Sequence, residues 1–302
     1  MAVSIEELSC LDCTVWLKSQ SKASEFLRIS QPVVSRNIKK VSDTFNISYF
    51  KNDGEYETIH DPASIRLDVQ RKMHQEMRFE DKKLILRFDA FKRMKSHLTE
   101  DVIKTPWRIG ISSEIENPTL FKNLMGSSII DAWMSFWPET TSLDSTYTAI
   151  PVSRYVAYIG ATKNHPILSL SNEISIKDTK DYPLYFGSPD DFPISFENLE
   201  NCGFKLHRGK RMNRLVYLAG LLTSKNYLFP IFPGAGTQLE RELVALPVKI
   251  PIEFESRLVI KTQFLNSFKV DLLLQDIKKS HQNMHSKYPD WKQVYHENKQ
   301  EQ

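Results

Sequence analysis

Residues 27–40 read LRISQPVVSRNIKK, and their pattern predicts how the N-terminal part of the chain is built. Ser30 has a side chain that caps helices well. Pro32 is tolerated in a first helical turn because its missing N–H would have no intrahelical partner there. Apolar residues then follow at steps of four and three positions: Val34, Ile38 and Val41. That spacing predicts a helix that begins near Ser30 and buries one face.

The opposite face of this predicted helix is polar and basic, and it carries Gln31, Ser35, Arg36, Lys39 and Lys40. Gln and Arg side chains can pair with base edges of duplex DNA, and Ser and Lys suit phosphate or sugar oxygens. Between positions 18 and 51, seven basic residues stand against two acidic ones. The alternative is an amphipathic helix whose charged face contacts only water, which is what a charge run usually means.

Two shorter helical patterns precede this segment. The first has apolar residues at steps of three and four: Leu8, Leu11 and Val15. The second contains Ala23 and Leu27, with Ser19 or Ser21 placed to cap its start. Residues 28–30 leave room only for a tight turn before the third helix. Two short helices joined in this way form a helix-turn-helix, which presents its second helix to a DNA groove.

The order of residues in this region resembles the helix-turn-helix of LysR-type transcriptional regulators. Their pattern is Ser, then Ala in the second helix, then Leu-x-x-Ser-Gln-Pro-x-Val-Ser-x-x-Ile-x-x-Leu. The matching positions here are Ser19, Ala23, Leu27, Ser30, Gln31, Pro32, Val34, Ser35, Ile38 and Val41. The match continues in weaker form to about residue 278.

The resemblance implies a winged helix-turn-helix in residues 1–60 that binds double-stranded DNA. The predicted DNA-binding residues are Ser19, Ser30, Gln31, Pro32, Ser35, Arg36, Lys39, Lys40 and Lys51. The sequence departs from the family where Ser42 replaces the usual Glu and where the wing, residues 52–57, is acidic and not Arg-rich. Lys51 is the one cation beside that wing, so we expect weaker or differently oriented DNA binding than is usual for the family.

Residues 61–103 form one long, charged helical pattern. Asp61 and Pro62 suit its start. Its apolar residues recur mostly at three-, four- or seven-residue steps: Ile65, Val69, Met73, Met77, Leu84, Phe88 and Phe91. A helix of about 30 residues is about 45 Å long, too long to be buried by a small head domain. The resemblance implies a linker that pairs with a second copy, giving a homodimer or homotetramer on a pseudo-palindromic site. The alternative is that it packs lengthwise on its own α/β domain.

From residue 104 to 302, strand-like apolar runs alternate with helical stretches, which indicates an α/β domain with a polar tail over residues 280–302. The resemblance implies a two-lobed effector-binding domain like that of periplasmic binding proteins. KTPWRIGIS, residues 104–112, is similar to the first strand of that domain. On this alignment, the first lobe lacks about one helix–strand unit.

The resemblance places a small-molecule effector between the two lobes, near loops that follow strands. The corresponding residues here are Ser112, Ser113, Trp133 and Ser188. The alternative is that these are surface serines and a packed tryptophan. In that case the α/β domain serves only oligomerisation or protein-partner binding.

Composition limits the remaining classes of function. The 302 residues carry a net charge of +3, too small to identify a polyanion partner, so any basic patch is local. Three cysteines without secretory spacing, no signal peptide and no apolar run of about 18 residues predict a cytoplasmic protein without membrane spans. We find no catalytic, metal-binding or cofactor-binding motif, and expect a protein that is not an enzyme.

Overall fold

The computed structural model describes residues 3–47, 49–52, 55–58, 64–90, 98–110, 118–170, 173–187, 189, 192–208, 226–232, 242–287 and 292–293. The N-terminal head, residues 3–58, contains α1 (Ile5–Leu17), α2 (Gln20–Leu27), α3 (Gln31–Phe45), β1 (Tyr49–Asn52) and β2 (Glu55–Thr58). Strands β1 and β2 pair antiparallel and form the wing. This order of elements confirms the predicted winged helix-turn-helix.

Serines precede all three helices of the head. Ser4 starts α1 in a capping box with Glu7, and the hydroxyl of Ser19 accepts a hydrogen bond from the backbone N–H of Lys22 at the start of α2. Ser30 stands before α3 as expected, but its hydroxyl makes no capping hydrogen bond. The apolar face of α3 is buried as predicted, since these side chains have no exposed surface: Val34, Ile38 and Val41.

The linker helix is shorter than the sequence pattern predicted. Helix α4 (Ser64–Glu80) has 17 residues and is about 25 Å long, so the expected helix through residue 103 is wrong. At its end, Leu84 N–H bonds to the Asp81 carbonyl, and the Asp81 carboxylate accepts from the Lys83 N–H over 2.8 Å. These bonds form a turn. The seven-residue step from Met77 to Leu84 therefore spans this turn and does not correspond to two further turns of helix.

A strand follows that turn, within the range that the pattern assigned to the linker. Strand β3 (Leu86–Asp89) is buried along its whole length, as is usual for a central parallel strand. It pairs in parallel with β4 (Trp107–Gly110) on one side and with β5 (Ala132–Trp137) on the other. The strand of the unit expected to be missing is therefore present as β3. The α/β domain begins near residue 86 and not at 104, and WRIG is its second strand.

The remaining elements complete one α/β domain. They are α5 (Pro118–Gly126), β6 (Tyr147–Thr162), α6 (Ile176–Thr179), α7 (Pro193–Asn201), β7 (Leu228–Ile231), β8 (Leu243–Lys261), α8 (Phe268–Lys287) and β9 (Lys292–Gln293). The strand order is β4-β3-β5-β8-β6-β7, with β9 paired to β6. The polar tail expected from residue 280 begins inside α8, where Ser280 and His281 are buried.

Two long antiparallel strands join the two ends of this sheet. β6 has 16 residues and β8 has 19, and they pair with each other along most of their length. Strands β3, β4 and β5 lie at one end, while β7 and a bridge to Leu184 lie at the other. These ends are the two lobes that were expected, and the fold class is confirmed. Within the described segments, no helix is long and apolar enough to cross a membrane.

Candidate nucleic-acid interface

The polar face of α3 lies on the surface of the molecule. All predicted residues on and just before this helix are exposed to solvent: Ser30, Gln31, Pro32, Ser35, Arg36, Lys39 and Lys40. Because the opposite face of α3 is fully buried, the helix is held firmly while this side is left open. We call these seven residues the outer face of α3. Their contacts with DNA remain a prediction.

The turn before α3 is fixed by backbone hydrogen bonds. Arg28 adopts a left-handed conformation, and its N–H bonds to the carbonyl of Glu25 over 3.2 Å. The N–H of Ile29 bonds to the carbonyl of Ser24 over 3.1 Å. These bonds end α2 and start α3 three residues later, so the angle between the two helices does not depend on side-chain contacts alone.

The cations of the outer face differ in their surroundings. Lys40 makes an ion pair with Glu7 of α1, and this hydrogen bond lowers the pKa of the Glu7 carboxyl. Among the described residues, Arg36 and Lys39 have no carboxylate within ion-pair distance. Together with Asp43 and Thr44, the three cations line an open groove of about 590 Å³. Arg36 and Lys39 are therefore the cations most available to phosphates or bases.

Two predicted DNA-binding residues lie apart from the outer face of α3. Ser19 is half-buried, and its hydroxyl already accepts the capping hydrogen bond of α2 over 3.4 Å. Lys51 belongs to β1, and its side chain lies outside what the structure describes. Its expected contact beside the wing stays a prediction.

The expected effector residues are only partly covered by the structure. Ser112, Ser113 and Ser188 lie outside the described residues. Trp133 is 2% exposed, and its ring stacks on Phe121 of α5 with centroids 4.9 Å apart. The burial and stacking of Trp133 therefore favour the alternative interpretation, a packed tryptophan, over an effector-binding residue.

A buried carboxylate joins the two lobes, and the sequence analysis did not predict it. Glu139 follows β5 and is 5% exposed. It accepts hydrogen bonds from the backbone N–H groups of Ser195 (2.8 Å) and Ile194 (3.4 Å) in the first turn of α7. Burial raises the pKa of this carboxyl. Nothing in the local sequence marks Glu139, because its partners lie more than 50 positions away along the chain.

A second set of buried charges fixes α4 to the α/β domain. Asp131, which has no exposed surface, accepts hydrogen bonds from Arg78 Nε (2.9 Å), Arg78 Nη2 (2.8 Å), Gln75 Nε2 (3.0 Å) and the Arg87 N–H (2.8 Å). Lys261 reaches the same region and donates to Gln75 Oε1 and Ser128 Oγ, each over 2.7 Å. Two charged residues of α4, Arg71 and Arg78, are therefore buried and paired.

The other side of α4 is apolar and open to solvent. Its residues stand four positions apart, with exposed fractions of 45% to 68%: Ile65, Val69, Met73 and Met77. We call them the apolar stripe. They are the first four of the residues from which pairing was predicted. Helix α4 therefore packs on its own α/β domain through Gln75 and Arg78, which was the alternative prediction, and the stripe that pairing requires is still exposed.

Comparison with solved structures identifies the architecture. A probable transcriptional regulator of Pseudomonas aeruginosa superposes with a TM-score of 0.56 at 13% identity, over 91% of this chain and 96% of its own. Full-length OxyR of the same organism gives 0.52 at 13% identity, over 92% and 98%. A putative LysR family transcriptional regulator, also from P. aeruginosa, gives 0.50 at 15% identity, over 92% and 99%.

The chain therefore has the fold of full-length LysR-type transcriptional regulators, as the helix-turn-helix pattern implied. The low identities fit a divergent sequence. No protein-family model matches the sequence, and no curated protein matches it.

Proposed function

We propose that this protein is a sequence-specific DNA-binding transcription regulator of the LysR type. One observation carries the proposal: the outer face of α3 is exposed, while Val34, Ile38 and Val41 on the opposite face of the same helix are buried. The fold supports it, since the chain superposes along most of its length on solved transcriptional regulators. The order of residues from Ser19 to Val41 supports it independently.

Helix α3 is the element that enters the major groove in this proposal. Gln31, Ser35 and Arg36 lie in its N-terminal half, where side chains of a recognition helix reach base edges. A guanidinium can bind the O6 and N7 atoms of guanine, and a Gln amide can bind adenine. Lys39 and Lys40 lie further along the helix and suit phosphate oxygens, which provide affinity without sequence preference.

A homodimer joined through α4 follows from the apolar stripe. Four large apolar side chains at four-residue steps form a continuous exposed surface, and such surfaces mark interaction sites. A second copy presents an identical stripe, so the two helices can pair about a two-fold axis. Two heads joined in this way place two α3 helices on half-sites about one DNA turn apart. Whether dimers assemble further into tetramers is a separate step.

The stripe can be tested by a charge at its centre. Met73→Glu should weaken dimerisation about 100-fold or more, because each dimer loses two buried methionines and gains two buried charges. Lys82→Glu is the matched control, since it places the same acidic side chain at an exposed position in the turn after α4, off the stripe. Analytical ultracentrifugation measures both variants. Equal dimer stability in the two would contradict pairing through α4.

Regulation by a small molecule is the finer part of the proposal. The two-lobed domain supports an effector site between the lobes, whereas the packing of Trp133 favours a domain used for oligomerisation or for a protein partner. Thermal unfolding of the full-length protein in the presence of fractionated metabolites separates these alternatives. Reproducible stabilisation by one fraction supports an effector, and no stabilisation across broad fractions supports the second alternative.

Selection from random duplexes tests the main proposal. The purified protein is mixed with a library of double-stranded oligonucleotides at about 0.1 M salt, and bound sequences are amplified and read. We expect enrichment of two related half-sites arranged with dyad symmetry. If no sequence is enriched over successive rounds, the protein does not read DNA and the proposal fails.

A further inference from the structure

The head is attached to the α/β domain of its own chain by a buried tryptophan. Trp16 lies in the last turn of α1 and has no exposed surface. Its indole Nε1–H donates to Oδ2 of Asp89, the last residue of β3. The same ring lies over Gly110, the last residue of β4, so closely that a Cβ at Gly110 would overlap Trp16 Cζ2 and Cη2. This contact therefore requires glycine at position 110.

A second aromatic residue of the head extends the contact. Phe26 of α2 packs edge-on against Trp16, with ring centroids 4.9 Å apart. The guanidinium of Arg108, in β4, lies over the Phe26 ring at 5.4 Å and donates to the Phe26 carbonyl. Two helices of the head thus contact the same strand of the α/β domain.

Buried charges reinforce the attachment beside Trp16. Asp12 of α1 is 1% exposed and accepts from Arg71 Nε (2.8 Å) and from Arg87 Nη1 (3.2 Å). Arg87, in β3, also donates to Ser9 Oγ over 2.6 Å. The Asp12 carboxylate of α1 therefore binds both α4 and β3. If these elements separated, a buried charge would lose its partner, which is energetically costly.

The contact with Trp16 lies where the strand order of the sheet reverses. β3 comes first in the chain, while β4 and β5 lie on its two sides, so the strand order reverses at β3. Asp89 and Gly110 are register partners at the carboxyl ends of parallel strands. In open α/β sheets, ligands bind outside the carboxyl ends of the strands where the order reverses. In this chain, Trp16 of the head occupies that edge of β3 and β4.

We propose that the carboxyl edge of β3 and β4 is a docking site for the head of the same chain, with Trp16 as the residue it receives. The docked head fixes the direction of α3 relative to α4 and its apolar stripe. A change at the ends of these strands reaches the head directly, through Trp16 and the contacts beside it, and needs no movement of the linker. The consequence for DNA rests on the function proposed above, whereas the docking itself does not.

Hydrogen exchange of the full-length protein tests the docking without DNA. Gly110→Ala places a methyl group where the Trp16 ring lies. Gly126→Ala is the matched control, because a Cβ there meets only the Tyr147 hydroxyl, at an ordinary distance of 3.4 Å. We expect amides of α1 to exchange about ten-fold faster in Gly110→Ala than in the control, with α8 unchanged. Equal exchange of α1 in the two variants overturns the proposal. Equal acceleration of α1 and α8 also overturns it, since Gly110 would then serve only the core of the α/β domain.

Trp16→Phe provides a second test if Gly110→Ala does not fold. It keeps an aromatic ring and removes the hydrogen bond to Asp89, so we expect about three-fold faster exchange confined to the head. If amide exchange in the head is the same in Trp16→Phe as in the wild type, the role of Trp16 is overturned.

The effect of docking on DNA binding is tested by measuring affinity for duplexes whose half-sites are moved apart by half a turn, about five base pairs. The wild type should lose at least about ten-fold in affinity and Gly110→Ala much less, because its heads are free to reorient. Equal losses overturn the orienting role. A protein that binds no DNA would defeat the proposed function and leave the exchange result standing.

Discussion

Two groups of cations in this molecule have opposite surroundings. Arg71, Arg78 and Arg87 are buried, and each donates to a buried aspartate. Arg36 and Lys39 are exposed, and among the described residues neither has a carboxylate within ion-pair distance. The first group joins the head, α4 and the α/β domain to one another, while the second is free to meet an external polyanion. Basic side chains thus hold the structure together in one region and, in the proposed function, contact DNA in the other.

The two sides of helix α4 also have opposite surroundings. Its polar side, with Arg71, Gln75 and Arg78, is buried, and the apolar stripe is exposed. A helix of a globular domain usually has the reverse arrangement. Burying charges is tolerated only when they are paired, and the aspartates on α1 and before β5 provide that pairing. In the proposed homodimer, the stripe of a second copy covers the exposed one.

The largest effect is expected from removing a buried carboxylate. Asp131→Ala leaves Arg78 buried without its partner and should lower the free energy of unfolding by about 3–5 kcal/mol. Asp144→Ala, at an exposed aspartate, is the control and should lower the free energy of unfolding far less. Urea unfolding of both variants provides the measurement. A loss of similar size in the two would mean that the buried network does not hold α4.

A smaller effect, visible only as a function of pH, is expected at Lys261. Burial lowers the pKa of this ammonium to about 8, below the value of about 10.4 in an unfolded chain. Between these two pH values, Lys261 is protonated more fully in the unfolded chain than in the folded one. The free energy of unfolding therefore rises with pH over this range. The wild type should therefore gain up to about 3 kcal/mol relative to Lys261→Met between about pH 8 and pH 10.4.

The control for that measurement is Lys82→Met, which changes an exposed lysine in the turn after α4. Its stability should follow that of the wild type at every pH. Parallel pH profiles for Lys261→Met and the wild type would show that Lys261 is not destabilised by burial.

The smallest effect separates two neighbouring lysines of the outer face. Lys39→Ala should reduce the slope of log affinity against log salt by about one, as expected for one phosphate contact. Lys40→Ala should reduce it less, because Lys40 is paired with Glu7 in the free protein. Glu7→Gln should restore the larger effect of Lys40. DNA binding measured over a range of salt provides all three slopes, and identical slopes for the two alanine variants would contradict this difference.

The head was largely predictable from its sequence because its structure is determined locally. The spacing of Val34, Ile38 and Val41 predicted which side of α3 is buried, and a tight turn at residues 28–30 predicted the helix-turn-helix. The capping hydrogen bond expected from Ser30 is absent. A side-chain rotation decides that bond, and sequence spacing carries no information about it.

The α/β domain was less predictable because its arrangement depends on long-range contacts. Leu84 and Phe88 continued the helical spacing of α4, yet a turn at Asp81 separates them from it. A short apolar run fits either a buried strand or a helix, and only pairing with β4 and β5 decides between the two. The partners of Glu139 and Trp16 are likewise distant in the chain.

In the proposed function, the outer face of α3 contacts base pairs. The most direct measurement compares Arg36→Ala with Arg66→Ala on the selected duplex and on a scrambled duplex, at equal salt. We predict that Arg36→Ala lowers affinity for the selected duplex by about 1–3 kcal/mol with little change on the scrambled one, and that Arg66→Ala changes neither. Unchanged affinity and unchanged sequence preference in Arg36→Ala would show that the outer face of α3 does not contact base pairs.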